Sequence, residues 1–344
     1  SDTLEIFSDS LNYDGVTKIA DLYGNVLLRD NRATLTTDHL TYDRNTRIAY
    51  YNSGAVIVSD TNILTSTIGH YYTDTKEVYF RNQVVLTNPD YIMNSDTLKY
   101  NTVSKIAWFF GPSTIVGERD SIYCEDGWYD TENDVSRMKR NVYILHDEQI
   151  IWADTVFYRR FHGYGLAENN VTLYDTLQDI YVKGNLAEYD DELGYAYVTD
   201  SALAIMPEKN DTLFLHSDTM WMFTGEDGTA ELMKAYYQVK YYRKNLQGMC
   251  DSLVYHFPDS TIIMYNDPVM WSEENQLTSD SVAIVIANNE VDTMVLYGAC
   301  FIISLDDTLN ASFNQVKGLN MIGYFRDNEI YKIHVTGNSE TLYF

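Results

Sequence analysis

The chain is 344 residues long and carries a formal net charge of −26, with 50 acidic against 24 basic residues. Such a surface repels nucleic acid and anionic membranes, and no basic patch reverses the sign locally. An apolar content of 45%, with 14% aromatics, excludes disorder. The longest apolar runs, Val282–Ala287 and Met294–Ser304, are far shorter than a membrane-spanning helix requires. No signal peptide is visible, and the opening Ser1 leads to the expectation that a leader or earlier repeats precede this chain.

From the first residues onward one unit repeats. Asp9, Asp38, Thr67, Asp96, Glu125 and Asp154 are each 29 residues apart, and each is followed four residues later by a tyrosine: Tyr13, Tyr42, Tyr71, Tyr100, Tyr129 and Tyr158. The spacing then lengthens through Asn185/Tyr189, Asp218/Met222, Asp251/Tyr255, Asp280/Ile284 and Asn320/Tyr324, giving eleven repeats. Two residues after the first column stand mostly apolar residues, among them Leu11, Leu40, Leu98, Val156 and Leu253. Apolar residues at period two mark a half-buried strand rather than a helix.

Each tyrosine is followed by a polar turn such as Asp14-Gly15-Val16-Thr17 or Asn101-Thr102-Val103-Ser104, a signal for antiparallel connection. An apolar run comes next (Ile48-Ala49-Tyr50-Tyr51, Ile106-Ala107-Trp108), and then a Gly step (Gly24-Asn25, Gly111-Pro112) predicts a bulge or bend. Each repeat is thus expected to be two antiparallel strands bent near the middle. Residues 228–244 are the one stretch with a helix-compatible composition, but their four tyrosines and their register favour strand. A length of 344 ordinarily means two domains. The unbroken repeat instead predicts one array over 1–344, kinked between about 154 and 251, and ending on a strand at Ile333–Phe344 whose edge could recruit another strand.

Chemistry is hard to find. Eight of the eleven first-column residues are acidic, yet successive rungs should lie ~10 Å apart, too far to share a cation. An acid at a solvated strand end, bonding to turn backbone, is the simpler expectation. The seven histidines fall in different columns without metal-ligand spacing, and no nucleophile or nucleotide motif is present, so no catalytic residue, metal or cofactor is expected. Cys124 and Cys250 occupy the same column four repeats apart, roughly 38 Å, and should be free thiols. The tyrosine column has two readings that the residues leave open: a packed core, or the lining of an apolar trough suited to acyl chains.

The combination Asp-Ser/Thr-Leu-x-Tyr, polar turn, Ile-Ala and Gly-Asn-Val resembles the LptA/OstA family, the lipopolysaccharide-transport β-jellyroll shared with part of the outer-membrane translocon. It is carried by Asp9-Ser10-Leu11-Asn12-Tyr13 with Gly24-Asn25-Val26, by Asp38-His39-Leu40-Thr41-Tyr42, by Asp96-Thr97-Leu98-Lys99-Tyr100 and by Asp251-Ser252-Leu253-Val254-Tyr255. The resemblance implies an all-β, elongated antiparallel twisted jellyroll of V-shaped section, here in a large OstA-like variant of about twenty-two strands. It further implies a non-catalytic periplasmic conduit of a Gram-negative bacterium, associated with the outer membrane. The expected partners are lipopolysaccharide or a related glycolipid, and other bridge jellyrolls stacked by edge strands, with head-to-tail self-association. The groove lining would comprise Leu11, Tyr13, Leu40, Tyr42, Tyr71, Leu98, Tyr100, Tyr129, Val156, Tyr158, Tyr189, Leu253 and Tyr255. The alternatives are a scaffold of the cell envelope with a packed core, and a carbohydrate-active β-helix; hairpin turns such as Asp14-Gly15 speak against the latter's parallel coils.

Overall fold

A computed structural model describes residues 4–30, 33–59, 61–207, 211–272, 275–287, 290–307, 312–326 and 329–344. They form 28 strands and one turn of 3-10 helix at Arg160–His162. The stretch with helix-compatible composition is the strand Ala230–Arg243. Two compact units divide the chain, Ser1–Glu168 and Asn169–Phe344. Within each, strands pair antiparallel with their neighbours in sequence. Tyr91–Asn101, for example, lies between Glu77–Thr87 and Ile106–Gly117. The fold is all-β, with antiparallel hairpins throughout.

Seven of the long strands are broken at their middle, and the break has one construction. Two successive residues take positive φ: Gly24-Asn25, Asn82-Gln83, Arg140-Asn141, Asn169-Asn170, Asp200-Ser201, Tyr237-Gln238 and Gly298-Ala299. The ladder register skips there, between Lys139 and Val142 for instance. Next in sequence comes a small apolar residue with almost no exposure: Val26, Val84, Val142, Val171, Ala202, Val239 and Cys300. Two left-handed residues reverse the pleat sharply, and the buried residue after them anchors the bend in the core.

The bend folds each strand onto itself. In the first unit one apolar cluster contains Leu22 and Leu28 from opposite arms of Ile19–Asp30, and Leu35 and Leu40 from opposite arms of Ala33–Asp43. A straight strand would hold Leu22 and Leu28 about 20 Å apart and Leu35 and Leu40 about 17 Å apart, yet all four share that cluster. The bend expected from the repeat is thus present, and it gives the V-shaped section that the resemblance implied. Burial raises the Tyr91 pKa.

The first column of the repeat is placed differently from the expectation. Its acids do not end strands; they sit at the bend, as the one unpaired residue facing the two left-handed residues of the next strand. The backbone N–H of Asp9 donates to the Gly24 carbonyl (2.9 Å), that of Thr67 to Asn82 (3.0 Å) and that of Asp280 to Gly298 (3.0 Å). The side chains receive the next strand's amide: Asn25 donates to Asp9 at 2.8 Å and Asn141 to Glu125 at 2.8 Å. The turns are capped instead by the residue after the tyrosine. Asp14 accepts from the N–H of Val16 (2.7 Å), Asp43 from Asn45 (2.8 Å) and Asn101 from Val103 (2.9 Å). A second correction concerns the last repeat. Leu319, not Asn320, holds the bend position, since its N–H donates to Gly337 at 2.7 Å and Met321 is the buried residue two further on.

Arms vary in length. Val135–His146 has five residues on each side of its bend, whereas Glu290–Asp307 has eight on each side, 290–297 and 300–307.

At Gly69 of the apolar column a ring takes the space, whereas at Gly127 the backbone of Arg137 and Met138 does. A Cβ on Gly69 would lie 2.3 Å from the Tyr51 ring, whose hydroxyl pairs with Ser66 at 2.6 Å. In the second unit Gly248 faces Tyr241 in the same way, at 2.2 Å. Gly69→Leu should destabilise by about 1–3 kcal/mol through overpacking. Adding Tyr51→Ala should recover much of that loss, and a melting comparison of the two singles and the double checks it. The turn carboxylates give a pH signature. Backbone N–H donation from Val16 and from Asn45 holds Asp14 and Asp43 below the ordinary 3.8. Their stabilisation is present above that value and is lost as pH falls through the lowered one. The melting temperature difference between the parent and Asp43→Asn should shrink from pH 7 to pH 2.

Candidate functional site

Alternation along each arm sends one set of side chains into the fold and the other outward. The apolar column is inward. Leu40 and Leu98 are each 1% exposed, and Val156 and Leu253 are buried in the same position. Two residues on, and further from the bend, the tyrosine column is wetter: Tyr71 is buried, while Tyr42, Tyr100, Tyr129, Tyr158 and Tyr255 are half-buried. Leu11, Tyr13 and Tyr189 are exposed, the first at 61%. The inner face thus has a dry layer against the bend and an amphipathic layer of phenols beyond it. Tyr129 illustrates how the phenols are held. Its hydroxyl donates to Asp134 at 2.5 Å, and burial together with that acceptor raises its pKa well above the ordinary value.

The bend supplies the polar chemistry of the interior. A buried hydroxyl one residue before the first column donates to the carbonyl two residues on: Ser66 to Ile68 (3.2 Å), Ser95 to Thr97 (3.1 Å), Ser217 to Thr219 (3.1 Å) and Ser279 to Ser281 (2.9 Å). Carbonyls that the skipped register would leave unpaired are satisfied in this way. Cys124 and Cys250 stand in that hydroxyl column, and all three cysteines are free and buried. Burial pushes the Cys124 thiol up to about 11 and the Cys250 thiol up to about 12.

The outward set in the first unit, mixed in the sequence, is ordered in space. Register runs Tyr50, His70, Tyr79, Lys99, Trp108, Trp128, Arg137 and Phe157 across successive strands. Lys99 lies 4.8 Å from the Trp108 ring centre and 5.4 Å from that of Tyr79, and its Nζ meets Glu77 at 2.6 Å. Cation–π and ion-pair contacts close this rung. Only half of it was visible beforehand, because Tyr50, Tyr79 and Trp108 belong to the return strand, whose outward column the repeat did not resolve.

Two recesses lie elsewhere than the predicted lining. One, of about 630 Å³, opens at the bends of the first unit and is bordered by Asn25, Thr37, Asp38, Ala55 and Gln83 among others. The second, of about 370 Å³, belongs to the second unit and is bordered by aromatic and threonine side chains. None of the thirteen predicted lining residues borders either.

With the bent repeat in view, its relatives can be placed. Residues 1–96 match the family model described as OstA-like protein. That stretch is similar to OstA-like proteins. The columns of this chain's own repeat continue beyond it, as Asp96-Thr97-Leu98-Lys99-Tyr100 and Asp251-Ser252-Leu253-Val254-Tyr255 show. Among solved structures, the crystal structure of LptH from Pseudomonas aeruginosa is similar to part of the chain. It is described as the LptA homologous periplasmic component of the conserved lipopolysaccharide transport device. The likeness has 15% identity and a TM-score of 0.27, over 29% of this chain and 77% of that one. No curated protein matches the chain.

The thiols provide a check on the interior of the bent repeat. Iodoacetamide at pH 8 should label the native protein slowly or not at all and label all three cysteines after denaturation without reductant. Rapid labelling of Cys124 in the native state would contradict its burial.

Proposed function

We propose that the protein binds a lipopolysaccharide-type glycolipid in the periplasm by laying acyl chains along the inner face of the bent sheet, and passes it on without catalysing any reaction. The observation that carries this reading is the OstA-like match over residues 1–96, joined to an inner face whose outer layer is half-buried tyrosine rather than closed aliphatic packing. A phenol ring offers an apolar body to a chain and a hydroxyl to water, which suits the mouth of a trough. Each methylene buried contributes about 0.8 kcal/mol, so acyl chains need no charged contact. A net charge of −26 fits a headgroup held away from the protein in solvent or through divalent cations.

The lining so proposed is Tyr42, Tyr100, Tyr129, Tyr158 and Tyr255, with Leu11, Tyr13 and Tyr189 as exposed members. Leu40, Tyr71, Leu98, Val156 and Leu253 form the floor. Partners of the same construction would add strands at exposed sheet edges.

One observation favours a second reading, a non-catalytic scaffold of the cell envelope. Leu40 and Leu98 at 1% exposure, with Phe109 fully buried, make the layer next to the bend a closed core. The two readings part at the tyrosine layer. A photo-reactive residue at Tyr100 or Tyr158 should cross-link glycolipid in cells, and the same probe at Thr41 or Lys99 should not. Tyr100→Asp should reduce lipid recovered with detergent-free protein more than Lys99→Asp does. Equal labelling at both kinds of position, or none at either, favours the scaffold.

A further inference from the structure

The second unit carries a recess that acyl-chain binding leaves unexplained. Two neighbouring rungs on the outward face read Tyr197, Trp221, Lys234 and Thr199, Thr219, Tyr236 across the strands Tyr195–Pro207, Thr212–Thr224 and Ala230–Arg243. Of these, Tyr197, Trp221, Thr199, Thr219 and Tyr236 bound, with Tyr237, the recess of about 370 Å³. The rings form a pavement: Tyr197 and Trp221 have centroids 4.5 Å apart, and Trp221 is parallel to Phe223 within 8° at 5.8 Å. Tyr195 and Tyr197 donate their hydroxyls to the two oxygens of Glu188, at 2.7 and 2.8 Å, which fixes both rings. Beside the pavement the Thr199 and Thr219 hydroxyls meet at 2.6 Å. Thr219 donates to Asp218 at 3.0 Å, which leaves Thr199 as the donor of that pair.

The bend adds a second, independent observation. Tyr237 is the only aromatic among the described residues with positive φ, at +62°, and its side chain is 61% exposed. The other bend residues are mostly Gly, Asn, Asp, Gln or Ser, which take this conformation more readily. A bulky ring held there, bordering a recess and not buried in it, is unfavourable for folding alone, and local strain of this kind clusters at binding sites.

The chemistry of the lining selects the ligand. Flat rings with a negative π face attract the polarised C–H face of a pyranose, and the surrounding hydroxyls match the sugar's hydroxyl rim. A bare acyl chain would offer nothing to the Tyr236 and Tyr237 hydroxyls or to the acceptor lone pairs that Thr199 and Thr219 retain. The net charge of −26 repels a nucleic acid that would otherwise stack on the same rings. Glu188 is occupied by two phenols, and Lys234, 5.2 Å from the Phe223 ring, stands outside the lining, so the recess itself is bordered by uncharged side chains. The volume falls at the small end of ligand sites and holds about one or two sugar rings.

We propose that this outward face is a saccharide-binding platform, stacking a neutral pyranose on Tyr197 and Trp221 and holding its hydroxyls with Thr199, Thr219, Tyr236 and Tyr237. The platform does not rest on acyl-chain binding, because a sugar without lipid is sufficient to occupy it. The full chain should be titrated with maltotriose and with a deacylated lipopolysaccharide core oligosaccharide, read by saturation-transfer NMR and tryptophan fluorescence. A dissociation constant near 1 mM is expected for at least one of them. Trp221→Ala should weaken it by about tenfold or more. Tyr237→Asn should weaken it severalfold while the melting temperature holds or rises, since Asn tolerates positive φ better than Tyr does. If Trp221→Ala fails to fold, Tyr237→Asn carries the test. Similar affinity for both probes points to free glucans, and a tenfold preference for the core oligosaccharide points to a glycolipid headgroup; either supports the platform. No binding of either probe up to about 10 mM, or binding unchanged in both variants, overturns it.

Discussion

Two consecutive residues of positive φ in the middle of a strand are what the rest of this structure depends on. For an ordinary L-residue the left-handed conformation costs about 1–2 kcal/mol, so a pair of them persists only where neighbours fix it. Here three neighbours do so: the buried residue that follows, the N–H of the facing strand's unpaired residue, and the hydroxyl that caps the carbonyl just beyond. Val142, the Thr67 N–H donating to the Asn82 carbonyl, and Ser95 with its bond to Thr97 are examples of each. Because the same fixtures recur on strand after strand within each unit, neighbouring bends come into line, and the two arms of each bent strand close over that unit's interior.

That construction separates two surfaces that a single strand must serve at once. Inward residues next to the bend are committed to packing, which is why Leu, Val, Gly and small hydroxyls dominate there. Inward residues far from it are released from packing and can be amphipathic. Outward residues are free to form cross-strand rungs, where aromatic and cationic side chains alternate around Lys99 in one unit and rings cluster around Trp221 in the other. Polar demands are met locally at the bend and at the turns, so neither surface has to satisfy stray backbone groups.

Much of this was legible before any coordinates. The 29-residue period, the tyrosine column and the polar turns set strand direction, hairpin connection and the inward face, because burial imposes period two on the side chains themselves. The bend was legible only where glycine marks it, as at Gly24 and Gly111. At Arg140-Asn141 or Tyr237-Gln238 the constraint falls on φ, which many side chains can meet, and residue identity records it faintly. An Asn or Gln directly before a valine (Asn25-Val26, Gln83-Val84, Asn141-Val142, Asn170-Val171, Gln238-Val239) is the signal that would have found these positions. The acid column misled for a related reason. Its spacing was plain, but whether a residue ends a strand or interrupts it depends on pairing with the next strand, which a single strand's pattern does not contain. The outward ring clusters were invisible for the same cause, since Tyr197 and Trp221 are neighbours only across a ladder.

The unequal arms have a geometric consequence. In the second unit the bend of Tyr195–Pro207 leaves five residues on one side and six on the other, whereas Glu290–Asp307 has eight on each. At about 3.3 Å per residue, the flanks of the V deepen by roughly 7–10 Å between those strands. A sheet that folds about fixed bends therefore sets the depth of its interior by strand length alone, leaving the bends untouched. The longer repeats that disturb the 29-residue period act as a depth gauge, reached by adding residues at the rim where packing constrains them least.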